Sequence, residues 1–324
     1  MDSLQKQNGL SLIELMIALL LSAILLMGVL QIFDGNRRTQ SLQESLARIQ
    51  ESGRMATDLL TKELRGAAFD GCVIKPSLMK NHTSPSISLF EGSMVDGADG
   101  VGVGLIIGDK TVEGGTDVLR VRGARDACAG MGRVDAANSG SNQLQLRGSC
   151  PGIAAGDYLM VANCRAGDIT SVVSVAGSPP LLTTDHSFNA TYGKEAQVFE
   201  PYVREYFISR ADAGGLPGLF VSENGQPAEE IMPGVEDLQI LFGRDAGNGD
   251  NIVDIWGGPP ANLVESEQVA AIRFQLMVAA SDRVGADAFS YRRLGETIET
   301  SAPDDGRLRK IYSVLTKLRN RGSR

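Results

Sequence analysis

One carboxylate, Glu14, stands inside an otherwise apolar run, LSLIELMIALLLSAILLMGVLQIF, from Leu10 to Phe33. An ionisable side chain is expensive in hydrocarbon, so one placed there either snorkels back to the interface or waits for a partner of opposite charge. A second set, Asp245, Asn248, Asp250 and Asp254, crowds into GRDAGNGDNIVD. Oxygen ligands of that density suit a hard cation such as Ca²⁺, although the spacing is not that of an EF-hand. A Gly/Asp turn between strands accounts for the same residues. Four cysteines, Cys72, Cys128, Cys150 and Cys164, form no CxxC pair, and only His82 and His186 accompany them, so a zinc site would need an unusual ligand set. The even count fits two disulfides in an oxidising compartment, against four reduced thiols in the cytosol, and three pairings are open.

Nothing else in the chain signals catalysis or a cofactor. There is no GxSxG, HExxH or P-loop, and GVGVGLIIGDK (Gly100 to Lys110) alternates its glycines without the GxGxxG spacing or a helix signal after it. Asn81-His82-Thr83 and Asn189-Ala190-Thr191 match the glycosylation sequon by chance. The formal charge of −8 and the 5% aromatic content argue against a broad nucleic-acid-binding surface or a base-stacking platform.

The elements that must position these residues follow from periodicity. Leu10 to Phe33 would span roughly 36 Å as a helix, slightly more than a bilayer core of about 30 Å. The run continues past Ser22-Ala23 without a clean end, so a membrane anchor fits better than a cleaved secretory signal. Orientation is not fixed by charge: Lys6 and Asp2 precede the run, and Arg37 and Arg38 follow it. No proline occurs before Pro76, and Leu42, Leu46, Ile49, Ala56 and Leu60, with Gly53 in the series, keep helical spacing opposite a polar face. A helix to about Ala68 would be roughly 88 Å long, with Gly28 and Gly35 as its soft points.

From about Asp70 the chain reads as strands. Thr116–Gly123, Asn142–Gly148, Asp157–Asn163 and Thr170–Gly177 are short apolar runs closed by turn residues, within a chain of 38 glycines. In REYFISR, Tyr206 and Ile208 alternate with polar neighbours. In VAAIRFQLMVAAS, Ile272, Phe274, Leu276 and Val278 share one face, opposite Arg273 and Gln275. Strands half-buried in this way build an antiparallel sheet, and the amphipathic half of the helix is the natural cover for it.

A polar leader ending in Gly9, then an apolar residue, then Glu14 five residues after the glycine, resembles the class III signal of type IV pilins. Leu10 departs from the Phe usual in major pilins. The resemblance implies cleavage by prepilin peptidase between Gly9 and Leu10, N-methylation of Leu10, and pairing of Glu14 with the new amine of a neighbouring subunit during docking. ARIQESGRMATDLLTKELRGAAFDGC (Ala47 to Cys72), GDYLMVANC (Gly156 to Cys164), MPGVEDLQILFGRDAGNGD (Met232 to Asp250) and YSVLTKLRNR (Tyr312 to Arg321) resemble the PilW-type minor pilins. The family's recurrent cysteines imply Cys72 with Cys164, leaving Cys128 with Cys150.

The implied fold is α+β and pilin-like: leader 1–9, transmembrane spine 10–33, amphipathic helix 34–69, and an enlarged antiparallel β-rich head 70–324, two-lobed at that size. The implied function is that of a non-enzymatic minor pilin without cofactors, which primes or tips a type IV pilus. Its expected partners are other minor pilins, the major pilin, prepilin peptidase, the inner-membrane assembly machinery and a tip adhesin. It would cross the inner membrane once with its N-terminus cytoplasmic and its head periplasmic, then reach the pilus surface. A type II secretion pseudopilin shares this N-terminal logic, and a membrane-anchored periplasmic binding or enzymatic domain is the remaining alternative.

Overall fold

The computed structural model of the chain describes residues 11–67, 73, 78–83, 95–136, 140–211, 215–247 and 249–319. One helix, α1 (Leu12–Gly66), runs unbroken for 55 residues, or about 80 Å. The two helical segments expected from the sequence are thus one element, because neither Gly28 nor Gly35 interrupts it. A one-turn helix, α2 (Leu263–Glu267), lies far along the chain.

The strands begin with β1 (Met79–Asn81), β2 (Val95–Ala98), β3 (Ile106–Ile107), β4 (Lys110–Thr111), β5 (Val118–Asp126), β6 (Val134–Ala136) and β7 (Gln143–Leu146). They continue with β8 (Tyr158–Asn163), β9 (Ala166–Ala176), β10 (Leu181–Thr184), β11 (Gln197–Arg210), β12 (Pro217–Glu223) and β13 (Glu229–Pro233). The last are β14 (Val235–Arg244), β15 (Ile255–Gly257), β16 (Val269–Arg283), β17 (Ser290–Arg292), β18 (Glu299–Ser301) and β19 (Arg307–Lys317). Each strand expected from apolar runs is present, with ends moved by a few residues.

A large sheet of 11 strands carries the order β13-β12-β11-β8-β9-β10-β7-β6, with β5 on β11, β2 on β5 and β1 on β9. All of its pairs are antiparallel except β1 with β9. The long strand β11 joins two regions: Gln197–Phe199 pair with β8, while Arg204–Arg210 pair with β12. A second sheet, β15-β14-β16-β19, is fully antiparallel.

Two separate cores match this division. Ile49, Ala56, Leu60 and Leu64 of α1 pack with Ile272, Phe274, Leu276 and Val278 of β16, Ile240 and Phe242 of β14, and Tyr206 and Ile208 of β11. The face predicted for β16 is therefore the one that meets the helix. A smaller core gathers Leu144, Leu159, Val161, Val172, Leu182, Phe188 and Val198 around Cys128 and Cys150. Burial on α1 begins only at Ser45; Leu42, below it, and Leu46, beside the buried stripe, remain more than a third exposed.

Candidate functional site

The chemistry-bearing end of the molecule is the free half of α1. From Leu12 to Phe33 its large apolar side chains are exposed on every side, and no described part of the head covers them. Gly9 and Leu10 lie outside the described residues. Glu14 is the third residue of the helix, and its Oε2 accepts a hydrogen bond from the Ser11 backbone N–H at 3.1 Å. Ser11 and Glu14 are thus the two ends of a capping box, S-x-x-E, which satisfies donors that a helix start otherwise leaves open. The sequence carried that signal, and reading Glu14 only as a docking carboxylate overlooked it.

Where the head takes hold of the helix, the joint is a glycine under an aromatic ring. A Cβ on Gly53 would fall inside the Tyr312 ring of β19, so only glycine allows that approach. The Tyr312 hydroxyl donates to the Ile49 carbonyl at 3.0 Å, which ties the C-terminal strand directly to the helix backbone. Ten residues further up α1, Glu63 accepts from Arg204 at 2.8 Å, and Arg204 also holds Glu223 at 2.7 Å. Burial alone would lower the Arg204 pKa, but Glu223 and Glu63 outweigh it and the guanidinium is held more firmly charged than usual.

The two sheets are joined by a buried carboxyl. The Asp117 N–H donates to the Leu238 carbonyl at 2.8 Å, and its carboxyl accepts from Gly100 N–H and Ile240 N–H. Burial, with Asp99 hydrogen-bonded beside it, pushes the Asp117 pKa up to about 7 in spite of those two donors. Nearby, Asp237 of β14 accepts from Tyr291, Arg293 and Gln239, which fastens β17 and the residue beyond it to the second sheet. Burial and Asp237 together push Tyr291 up to about 12.

The remaining sequence candidates are dispersed. Asp245 accepts from Gly249 and Asn251 N–H, Asp250 from Ile252 N–H, and Asp254 from Ala246 and Gly247 N–H. These carboxylates are turned onto the backbone of their own loop. Asn248 lies outside the described residues, among which no group of three His, Cys, Asp or Glu is placed to hold a metal. The alternating glycines lead into the β3–β4 hairpin. His82 and His186 stack at 5.6 Å, and His82 Nε2 lies 2.7 Å from the buried Asp168, which Tyr192 and Asn189 also hydrogen-bond. That cluster, invisible in sequence, anchors β1 to β9. Asn81 of one sequon accepts from the Thr83 hydroxyl at 2.6 Å.

Cys128 and Cys150 form a disulfide. Cys164 is an exposed thiol, and Cys72, its expected partner, lies outside the described residues.

Two family models match the chain. Residues 205–320 match the type IV pilus-assembly protein W family, and residues 4–30 match the prokaryotic N-terminal methylation motif. No curated protein matches. Four chains of solved structures do. One is a type IV-like pilin from Thermus thermophilus, 12% identical, covering 84% of this chain and 97% of that one, at a TM-score of 0.38. Another is the tailspike protein of Pseudomonas phage LKA1, 17% identical, covering 25% of this chain and 15% of that one, at a TM-score of 0.21. Neither likeness is close enough to carry an argument; the methylation motif sits on the start of α1, and over residues 205–320, the strands that grip its upper half, the chain is similar to the type IV pilus-assembly protein W family.

Proposed function

We propose that the chain is a non-enzymatic filament subunit that is cut between Gly9 and Leu10, methylated on Leu10, and built into the priming or tip complex of a type IV pilus. The observation that carries this reading is the contrast along α1. Its lower half exposes large apolar side chains on every side around a single carboxylate, and its upper half is fixed in a folded head. A surface of that kind is stable in a bilayer or against other helices of the same kind, and in neither case does it need the head. In the precursor Glu14 is occupied by Ser11 N–H. After cleavage it turns to the amine of Leu10 on a neighbouring spine, where low dielectric strengthens the attraction and its main effect is to set register. The match to pilus-assembly proteins over residues 205–320 favours a pilus over a secretion pseudopilin.

The head would be periplasmic, and the second disulfide would close there. Val73 supports that pairing: a Cβ on Gly167, three residues after Cys164, would meet the Val73 Cγ2 at 3.2 Å. Non-reducing peptide mapping of protein recovered from the periplasmic side would show a Cys72–Cys164 peptide pair; two alkylatable thiols would refute it.

The decisive experiment for the function is N-terminal mass spectrometry of the chain from peptidase-positive and peptidase-null hosts. The expected mature chain starts at a methylated Leu10 in the first host and at Met1 in the second. A chain beginning at Met1 in both would end the pilin reading.

A further inference from the structure

The last strand of the second sheet has an open edge. β19 pairs with β16 on one side, and among the described residues no strand pairs with it on the other. The register sets Lys317 opposite Ala271, Leu315 opposite Arg273 and Ser313 opposite Gln275, without a shift from Ala271 to Ala279 of β16. The Leu318 N–H donates to the Ala270 carbonyl at 3.0 Å. Residues of an antiparallel ladder alternate between exchanging hydrogen bonds with the partner strand and pointing them away. Leu318 exchanges, so Thr316, Val314 and Tyr312 exchange too. Lys317, Leu315, Ser313 and Ile311 therefore direct their N–H and C=O groups to the open edge.

The chemistry of that edge is distinctive. The last 18 residues hold seven Lys and Arg and no Asp or Glu, whereas the chain as a whole carries −8, so the rest carries −15. Arg307 and Arg309 are spent on Asp305 and Glu236. Lys310, Lys317 and Arg319 are exposed and enter no ion pair among the described residues. Leu315, 54% exposed, stands between them. Cations on an edge repel a second copy of the same strand, and that is how native sheets avoid pairing with themselves. The same cations attract an acidic strand. By contrast β13, one edge of the large sheet, has only five residues, a register shift against β12 and a proline at its end.

We propose that the open edge of β19 takes up an extended acidic segment of a neighbouring filament subunit by strand addition. Main-chain bonds to Ser313 and Leu315 fix the added strand. Its carboxylates meet Lys317 and Arg319, which share a face with Leu315, whereas Lys310 stands on the opposite face with Tyr312. That the segment comes from a filament neighbour rests on the pilus reading; the edge and its chemistry do not.

The test uses the full chain in detergent and two synthetic peptides, one alternating Glu with Val and one alternating Lys with Val. The acidic peptide is expected to bind, more weakly as salt rises, and to slow amide exchange at Ser313 and Leu315. Ser313→Pro, which removes an edge-facing N–H and no bond to β16, weakens binding roughly tenfold. Leu315→Glu, at an exposed position, weakens it by repulsion, and unchanged melting of that variant shows that the fold is kept. Equal binding of both peptides, no binding, protection at another edge, or binding indifferent to both substitutions would overturn the proposal, as would self-association through β19. The assay needs no pili, so its failure leaves the pilus reading intact, and an uncut N-terminus leaves the assay intact.

Discussion

The two halves of α1 share one helix and one set of backbone hydrogen bonds but solve opposite problems. The upper half, from Ser45 to Leu64, buries one stripe against two sheets and leaves the rest polar. The lower half is apolar on all sides and buries none of it. A helix that is apolar all round belongs in an interior. Here that interior lies outside the chain, in lipid or among other spines. Stability and assembly are therefore written on different halves of one element, and substitutions should sort by half.

The largest contrast is expected between equivalent leucines. Leu60→Ala empties a fully buried position among Phe274, Leu276 and Tyr206, and the head should lose about 2–5 kcal/mol in chemical denaturation. Leu20→Ala, on the free half, should leave that denaturation curve unmoved and weaken only membrane retention. If both variants shift the curve alike, the halves are not independent.

The head also carries a pH dependence. Asp117, pushed up to about 7, binds a proton in the folded state at pH values where the unfolded chain, near 3.8, has lost it. Between those values folding takes up a proton, so stability falls as pH rises from about 4 to about 7 and is flat above. The whole effect is at most about 4 kcal/mol. Asp117→Asn should flatten denaturation midpoints measured at several pH values across that window. An unchanged slope in the variant would move the cause elsewhere.

Glycines give the next contrast. Gly53→Leu would drive a side chain into the Tyr312 ring and should cost the head about 1–3 kcal/mol as β19 shifts. Gly35→Leu has nothing within 4 Å to meet, and should slightly strengthen the helix without touching the head. Circular dichroism melts of the two variants separate these outcomes.

What the sequence made legible was what depends on periodicity and local chemistry. The amphipathic spacing from Ile49 to Leu60, the inward face of β16 and the leader before Glu14 are each set by neighbours a few residues away. Gly53 was visible in the apolar series, but not its reason, because Tyr312 is 259 positions distant. Asp117, Asp168 with His82, and the Arg204 bridge to Glu63 were hidden for the same cause: their partners are brought close only by sheet topology. The loop from Asp245 to Asp254 left two readings open in sequence, a cation site and a Gly/Asp turn. Clustered carboxylates resemble a cation site in one dimension, and in three they point at their own backbone.

The smallest effect in isolation bears most directly on assembly. Among the described residues Glu14 has one partner, the Ser11 N–H, and it would need another in the filament. A glutamine in its place can keep the first bond, since glutamine serves in a capping box as glutamate does, but cannot form the charge pair. Glu14→Gln should therefore leave the start of α1 as protected from amide exchange as in the wild type, and still fail to enter pili. Glu14→Ala should lose both, with fraying of the first turn worth about 0.5–1 kcal/mol and no change in the melting of the head. Pili that incorporate the glutamine variant normally would mean that the carboxylate acts as a cap alone. Register would then have to come from the apolar side chains that flank it, which carry no charge to align.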